Sequence, residues 1–390
     1  MPGLSSRERL LRAIVHAEPD HVPFVFNLFQ LPHDALPPHL RHRGQVERAE
    51  RFLAAGLDDT LGLGVPWESH PEVRTRVWKD QPTGSRYPLL HKVYETPKGP
   101  LQQTVRQTED WPHGEDVPLF SDHNVSRATR FPVETEDDLE RLPYLLGFPS
   151  DDEVRGFREE ARELKRAADR LGVVLEGHCT TGADSAIWLC GVENLIVACH
   201  ERPAFAHEVL RIIREWEMPR LELLLETGVC DVIVRRGWYE SPAFFSPAAY
   251  RKFLFDSIKA EVDLVHQAGA KYQYIQTVRP QDLVGEFRKL GIDLLWGVDP
   301  VQGQADLARL KRECGDRICL CGGVNSYVTV GQGSRAEVRA AVRKAIELLA
   351  SGGGFVLFLV DSVDPSVPWS HVEWAIEAWR EWGTYPSLAA

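Results

Sequence analysis

The chain has 390 residues, 43% of them apolar and 26% charged, enough to bury a large core. Its formal net charge of −12 argues against nucleic acid or an anionic membrane as the main partner, because both demand a basic footprint. No apolar run approaches the ~18 residues of a membrane span, and Met1 to Arg9 has no apolar signal core, so a cytoplasmic protein is expected. The seven cysteines, Cys179, Cys190, Cys199, Cys230, Cys314, Cys319 and Cys321, form no matched Cys-x-x-Cys pairs and are read as reduced thiols.

The first element is an amphipathic helix over Ser5 to His16, with a capping box of Ser5 and Glu8 and an apolar face of Leu10, Leu11, Ile14 and Val15. Pro19 to Pro23 turns the chain into a first strand, Phe24 to Phe26, ending at Asn27. Arg48 to Ala55 reads as helix and Asp58 to Leu63 as a second strand. Residues 67 to 130 alternate apolar and polar positions between Pro-Thr-Gly and Thr-Pro-Lys-Gly turns, which predicts an antiparallel insertion.

A helix over Asp152 to Leu171 then opens a repeating pattern of strand and helix. Strands are expected at Val173 to Glu176, Asp231 to Val234, Lys271 to Ile275, Asp293 to Trp296, Arg317 to Cys321 and Phe355 to Val360. The fifth of these stops at Gly322 and Gly323, and a helix capped by Ser334 and Glu337 links it to the last. With the first two strands the count is eight, which predicts an α/β fold of the (β/α)8 TIM-like type, its chemistry at the carboxyl ends of the strands. A doubly wound open sheet is the alternative. No Gly-x-Gly-x-x-Gly follows the first strand, which disfavours a dinucleotide fold. The whole of 1–390 is read as one barrel domain carrying the insertion.

The chain resembles the uroporphyrinogen decarboxylase superfamily, which also holds zinc-dependent corrinoid methyltransferases. The likeness lies in Ser6-Arg7-Glu8-Arg9 to Asp20-His21-Val22-Pro23, in Phe131 to Glu140, and in Ile318 to Val324 with Glu337 to Gly354. The resemblance implies the barrel. It does not carry over the working residues of either branch. The decarboxylases' Arg-Gln-Ala-Gly-Arg segment is replaced by Asn27-Leu-Phe-Gln-Leu-Pro-His33, their aspartate falls near Val65, and their final histidine falls at Asp361. The methyltransferases' His-x-Cys is replaced by Ile275-Gln276-Thr277 and their distal cysteine by Asp361. No metal and no cofactor are therefore expected.

The candidate site is read from the strand ends. Arg235 and Arg236 follow one strand and suit a carboxylate clamp; alternation sends one of them inward, and a structural ion pair is the competing role. Trp238, Tyr239 and Glu240 come next, a planar wall with a carboxylate. His178 beside Cys179 suits general acid or base work or half a metal site. Asn27, Tyr274, Gln276, Trp296 and Asp299 complete the ring as substrate contacts. Asp361 is expected as proton donor, or as the cap of the turn to Pro365. The catalytic set is thus Asp361, His178 and Glu240. The expected function is a cofactor-free carboxy-lyase on a carboxylated small molecule, within or near porphyrin metabolism. A methyltransferase served by a corrinoid protein and a non-catalytic binding paralogue are the alternatives, and a homodimer is compatible with each.

Overall fold

The computed structural model describes residues 3–385. In chain order its strands are β1 (Phe24–Val25), β2 (Thr60–Gly64), β3 (Arg74–Asp80), β4 (Leu89–Thr96), β5 (Gly99–Arg106), β6 (Ala128–Arg130), β7 (Val174–Thr180), β8 (Val232–Arg235), β9 (Lys271–Ile275), β10 (Leu294–Val298), β11 (Cys319–Asn325) and β12 (Phe355–Val360).

Eight strands form one parallel ladder in the order β1-β12-β11-β10-β9-β8-β7-β2. The two end strands are neighbours in sequence, so the sheet has curled on itself into a TIM-like barrel. The ladder is open along this seam, where Asp58 N–H donates to the Phe24 carbonyl at 3.2 Å and the Asp58 carboxylate accepts from Phe24 N–H at 3.0 Å. A doubly wound sheet would leave those strands apart. The insertion is a separate four-stranded antiparallel sheet, β3-β4-β5-β6.

Two core layers follow from strand alternation. Leu175, Ile233, Tyr272, Leu295, Leu320 and Leu357 point outward beneath the helices, whereas Val174, Val232, Leu294, Cys319 and Val356 point into the barrel. The first helix, Ser6–Ile14, has its predicted capping box and buries Leu10 and Ile14 against that inner layer. Val15, predicted on its apolar face, is 55% exposed because the helix has ended.

Two strand ends differ from expectation. β11 runs on through Gly322 and Gly323, at φ 146° and 94°, and does not stop there. A side chain at Gly322 would meet the Val298 backbone, and one at Gly323 would press on Ala345, so the glycines mark close packing inside the sheet. β7 continues four residues beyond Glu176, to Thr180, which draws His178 from the rim into the barrel. The helical stretch before β9 is divided at Leu254 into Pro247–Phe253 and Phe255–Gln267. Among the described residues no helix is long and apolar enough to cross a membrane.

Candidate active site

β7 alternates Leu175, Gly177 and Cys179 with Val174, Glu176 and His178, and the second set lines a cavity of about 430 Å³ inside the barrel. Leu10 and Ile14 of the first helix form its floor, while Asn27, Arg236, Trp238 and Trp296 stand toward its open end. Gly62 on neighbouring β2 leaves room for the imidazole: a side chain there would come within 3.2 Å of His178 Nε2. That nitrogen lies 3.7 Å from Glu176 Oε2.

Enclosure pushes both groups toward their uncharged forms. Glu176 is pushed up to about 7 by burial, against a smaller opposing pull from the Arg48 charge, which is itself shared in a two-point pair with Asp59. His178 is pulled down to about 4 by the same loss of solvent. Their side chains are 20% and 46% exposed, but the exposure is to the cavity. Near neutral pH the pair therefore offers a neutral imidazole and a carboxyl that titrates.

Arg236 stands where the barrel opens. Its Nε donates to Asp184 at 3.0 Å and its Nη2 to Asp122 at 2.6 Å, with the guanidinium 4.7 Å above the Trp188 ring; Nη1 has no hydrogen bond to a described residue. Asp184 sits in the first turn of the helix Ala183–Cys190, where negative charge is favoured, and also accepts from the N–H groups of Trp238 and Tyr239 at 3.2 and 2.9 Å. Burial nevertheless pushes it up to about 7. Asp122 comes from the connection between β5 and β6, just past the helix cap Ser121, and further accepts from Trp188 Nε1 at 3.0 Å and the Tyr239 hydroxyl at 3.2 Å. One carboxylate of the insertion thus holds three donors of the barrel mouth.

A second hollow of about 660 Å³ forms that mouth, lined by Asn27, Trp238, Tyr239, Asp361 and Ser362 among others. Asp361 is pushed up to about 6, first by burial, then against the pull of Arg236 with help from Asp122, Asp299 and Asp364. The turn that follows is capped by Asp364, which accepts from Ser366 N–H at 2.7 Å. Asp361 makes no side-chain hydrogen bond among the described residues, so the capping role belongs to Asp364.

The remaining predicted contacts lie elsewhere. Arg235 faces away from the cavity, donating to Glu240 at 2.6 and 2.9 Å and to Glu261 at 2.6 Å. Its competing role, the structural ion pair, is the one observed. Glu240 is fully buried, bound also by Ala183 N–H and the Tyr274 hydroxyl, and so is no catalytic group. Tyr274 and Gln276 bond to each other and inward to this cluster. Asp299 accepts from Val301 and Gly303 N–H and from Asn325, which closes a turn. None of these five lines either hollow. Sequence reasoning missed Glu176, Asp184 and Asp122. The first was recoverable, since Glu176 and His178 share the two-residue spacing of one strand face; the other two depend on contacts 52 and 114 residues away.

The zinc site of the methyltransferase branch can be tested on the donors present. Ile275 and Thr277 bring no thiolate or imidazole, and no group of three His, Cys, Asp or Glu side chains suited to a metal occurs among the described residues. The donor set does not fit zinc.

A parallel barrel with ionisable groups converging at the carboxyl ends of its strands is the architecture of small-molecule barrel proteins. The uroporphyrinogen decarboxylase (URO-D) family model matches residues 119–382, and the chain belongs to that family. It is 23% identical over 261 residues to the uroporphyrinogen decarboxylase of Chlorobaculum tepidum, covering 64% of this chain and 70% of that one. Among solved structures, a methyltransferase from Methanosarcina mazei superposes with a TM-score of 0.57 at 18% identity, covering 97% of this chain and 99% of the other, a likeness of fold.

Proposed function

We propose that the protein is a cofactor-free carboxy-lyase acting on a small carboxylated molecule seated in the barrel, with Asp361 as the proton donor. One observation carries this reading. A cavity of about 430 Å³ opens past a cation with a spare donor, Arg236, onto a carboxyl, Asp361, pushed up to about 6 and free of hydrogen bonds to the described residues.

Each residue then has a task. Arg236 Nη1 orients the substrate carboxylate, while Trp238 and Trp296, edge to face at 5.3 Å, exclude water from it. The bond from carbon to carboxylate breaks, the electron pair stays on the substrate, and carbon dioxide leaves. The substrate itself must delocalise that pair. Asp361 gives its proton to the carbon, and water returns one to Asp361. A pKa near 6 leaves part of the carboxyl protonated at neutral pH, where a normal aspartic acid would be ionised. His178 and Glu176, both favouring uncharged forms, supply polar contacts deeper in the barrel.

Methyl transfer is the second reading, favoured by the full-length likeness to the methyltransferase. Assay of carbon dioxide release and of methyl transfer over a panel of small carboxylic acids separates the two. In the first, Asp361→Asn should lower turnover by roughly 100-fold to 10,000-fold with substrate affinity kept. Unchanged turnover removes Asp361 as the acid.

A further inference from the structure

Beside the barrel cavity lies a hollow of about 320 Å³ that the chemistry above does not use. His178 and Arg236 line both, so they stand on the threshold between them. Its walls are aromatic. Trp67, Phe120 and Trp216 meet at centroid distances of 5.2 to 5.7 Å, and Trp188 joins Phe120 at 5.7 Å. Such rings usually fill a core by packing face and edge; here they enclose space.

Two polar groups in that hollow lack the partners burial normally demands. Thr180 is 2% exposed, and its hydroxyl has no hydrogen-bond partner among the described residues. Arg220 is 4% exposed and makes no ion pair with a described residue. It donates to three backbone carbonyls, Pro66, Cys179 and Val65, at 3.3, 3.2 and 2.8 Å, and lies 4.2 Å over Trp216. A guanidinium has five N–H donors, so donors remain. The carboxylate one helical turn before it, Glu217, is committed to Thr181 and Gly182. A buried cation with no close ion pair, offset only by the more distant charge of Glu217, is costly unless a ligand brings a nearer counter-ion.

We infer that this side hollow is a second subsite of the active site, taking a planar aromatic ring whose oxygen substituent, a carboxylate or phenolic oxygen, is held by Arg220 and the Thr180 hydroxyl. The ring stacks among the tryptophans, and the reacting end of the same molecule passes His178 and Arg236 into the site proposed above. The substrate class is therefore an aromatic acid carrying a second oxygen function. A quaternary ammonium, the other usual guest of aromatic walls, is disfavoured because Arg220 and Arg236 already place two positive charges on the lining of the hollow. The identity of the reacting end rests on the carboxy-lyase reading; the subsite does not.

The test is calorimetric binding of 4-hydroxybenzoate, with cyclohexanecarboxylate and acetate as probes that keep the charge and lose the ring. The aromatic probe should bind at least about tenfold tighter than either, and Trp67→Leu should abolish that preference. Thr180→Val gives a readout that a structural role would not: removing an unpartnered buried hydroxyl should leave the melting temperature unchanged or raised, while 4-hydroxybenzoate binds about tenfold weaker. Equal affinity for the three probes, or full binding by both variants, overturns the subsite. If the probes discriminate as expected yet Asp361→Asn leaves turnover intact, the subsite stands and the acid role fails; the converse pair of results does the reverse.

Discussion

Arg235 and Arg236 are adjacent in the chain and end up in opposite electrostatic worlds. Arg235 turns behind the barrel wall, where Glu240 and Glu261 meet it and the Tyr272 and Tyr274 hydroxyls donate to those carboxylates. Arg236 turns toward the cavity, keeps a donor unused, and has around it carboxyls pushed up to about 6 or 7. Arg235's donors are taken up by its two direct carboxylate partners, whereas Arg236 keeps one spare beside carboxyls close to titration. A cation that keeps a donor spare beside the cavity therefore marks the site better than the mere presence of arginine.

The comparison breaks most visibly behind the wall. Arg235→Met should destabilise the protein by roughly 3–5 kcal/mol, because it strands buried carboxylates; urea denaturation measures it, and a loss under about 1 kcal/mol would show that the cluster relaxes by taking up protons. On the cavity side, Arg236→Ala should cost about 2 kcal/mol of carboxylate-ligand affinity, read by calorimetry. Its stability cost should be much smaller than that of Arg235→Met, since Asp184, already near 7, can go neutral.

A smaller effect distinguishes the groups by pH. Glu176 is raised from 4.5 to about 7, so the folded carboxyl keeps its proton where the unfolded chain has released it. Stability from this group is full below about pH 4.5 and is lost as pH rises through 7. His178, lowered from 6.5 to about 4, works oppositely: its contribution is present above 6.5 and lost as pH falls through 4. Comparing wild type with Glu176→Gln isolates the first, and the stability difference should move by roughly 2–3 kcal/mol between about pH 4.5 and 8, in the variant's favour as pH rises. A flat difference would show that Glu176 titrates normally. Smallest of all should be the response to a chelator, which should leave the melting temperature unchanged; a drop of several degrees reversed by zinc would reveal a site built from other donors.

The barrel was legible because each strand carries its own signal, a short apolar run or an alternation, and because eight such runs recur with helices between them. The site was legible only as far as the strand ends. Arg236, Trp238, Tyr239, Asn27 and Asp361 follow strands, His178 and Trp296 lie within theirs, and all of them line the hollows. Arg235, Glu240 and Tyr274 look the same in one dimension, but their direction is set by Glu261, 26 residues past Arg235. Asp299 and Gln276 sit on a turn and a wall whose bonding no local pattern announces. Glu176 was hidden by ending β7 too early. Asp122 was hidden because nothing in an antiparallel insertion says that its far end returns to the barrel mouth.

The opening helix, with Leu10 and Ile14 as the cavity floor, gives the barrel a stopped end opposite its mouth. Whatever enters past Arg236 comes to rest against that floor. A converted molecule still inside bars the next one, so a product that lingers will compete with substrate for the same doorway and rising substrate will relieve the block. Shortening Leu10 or Ile14 would deepen the vessel and enlarge what it accepts.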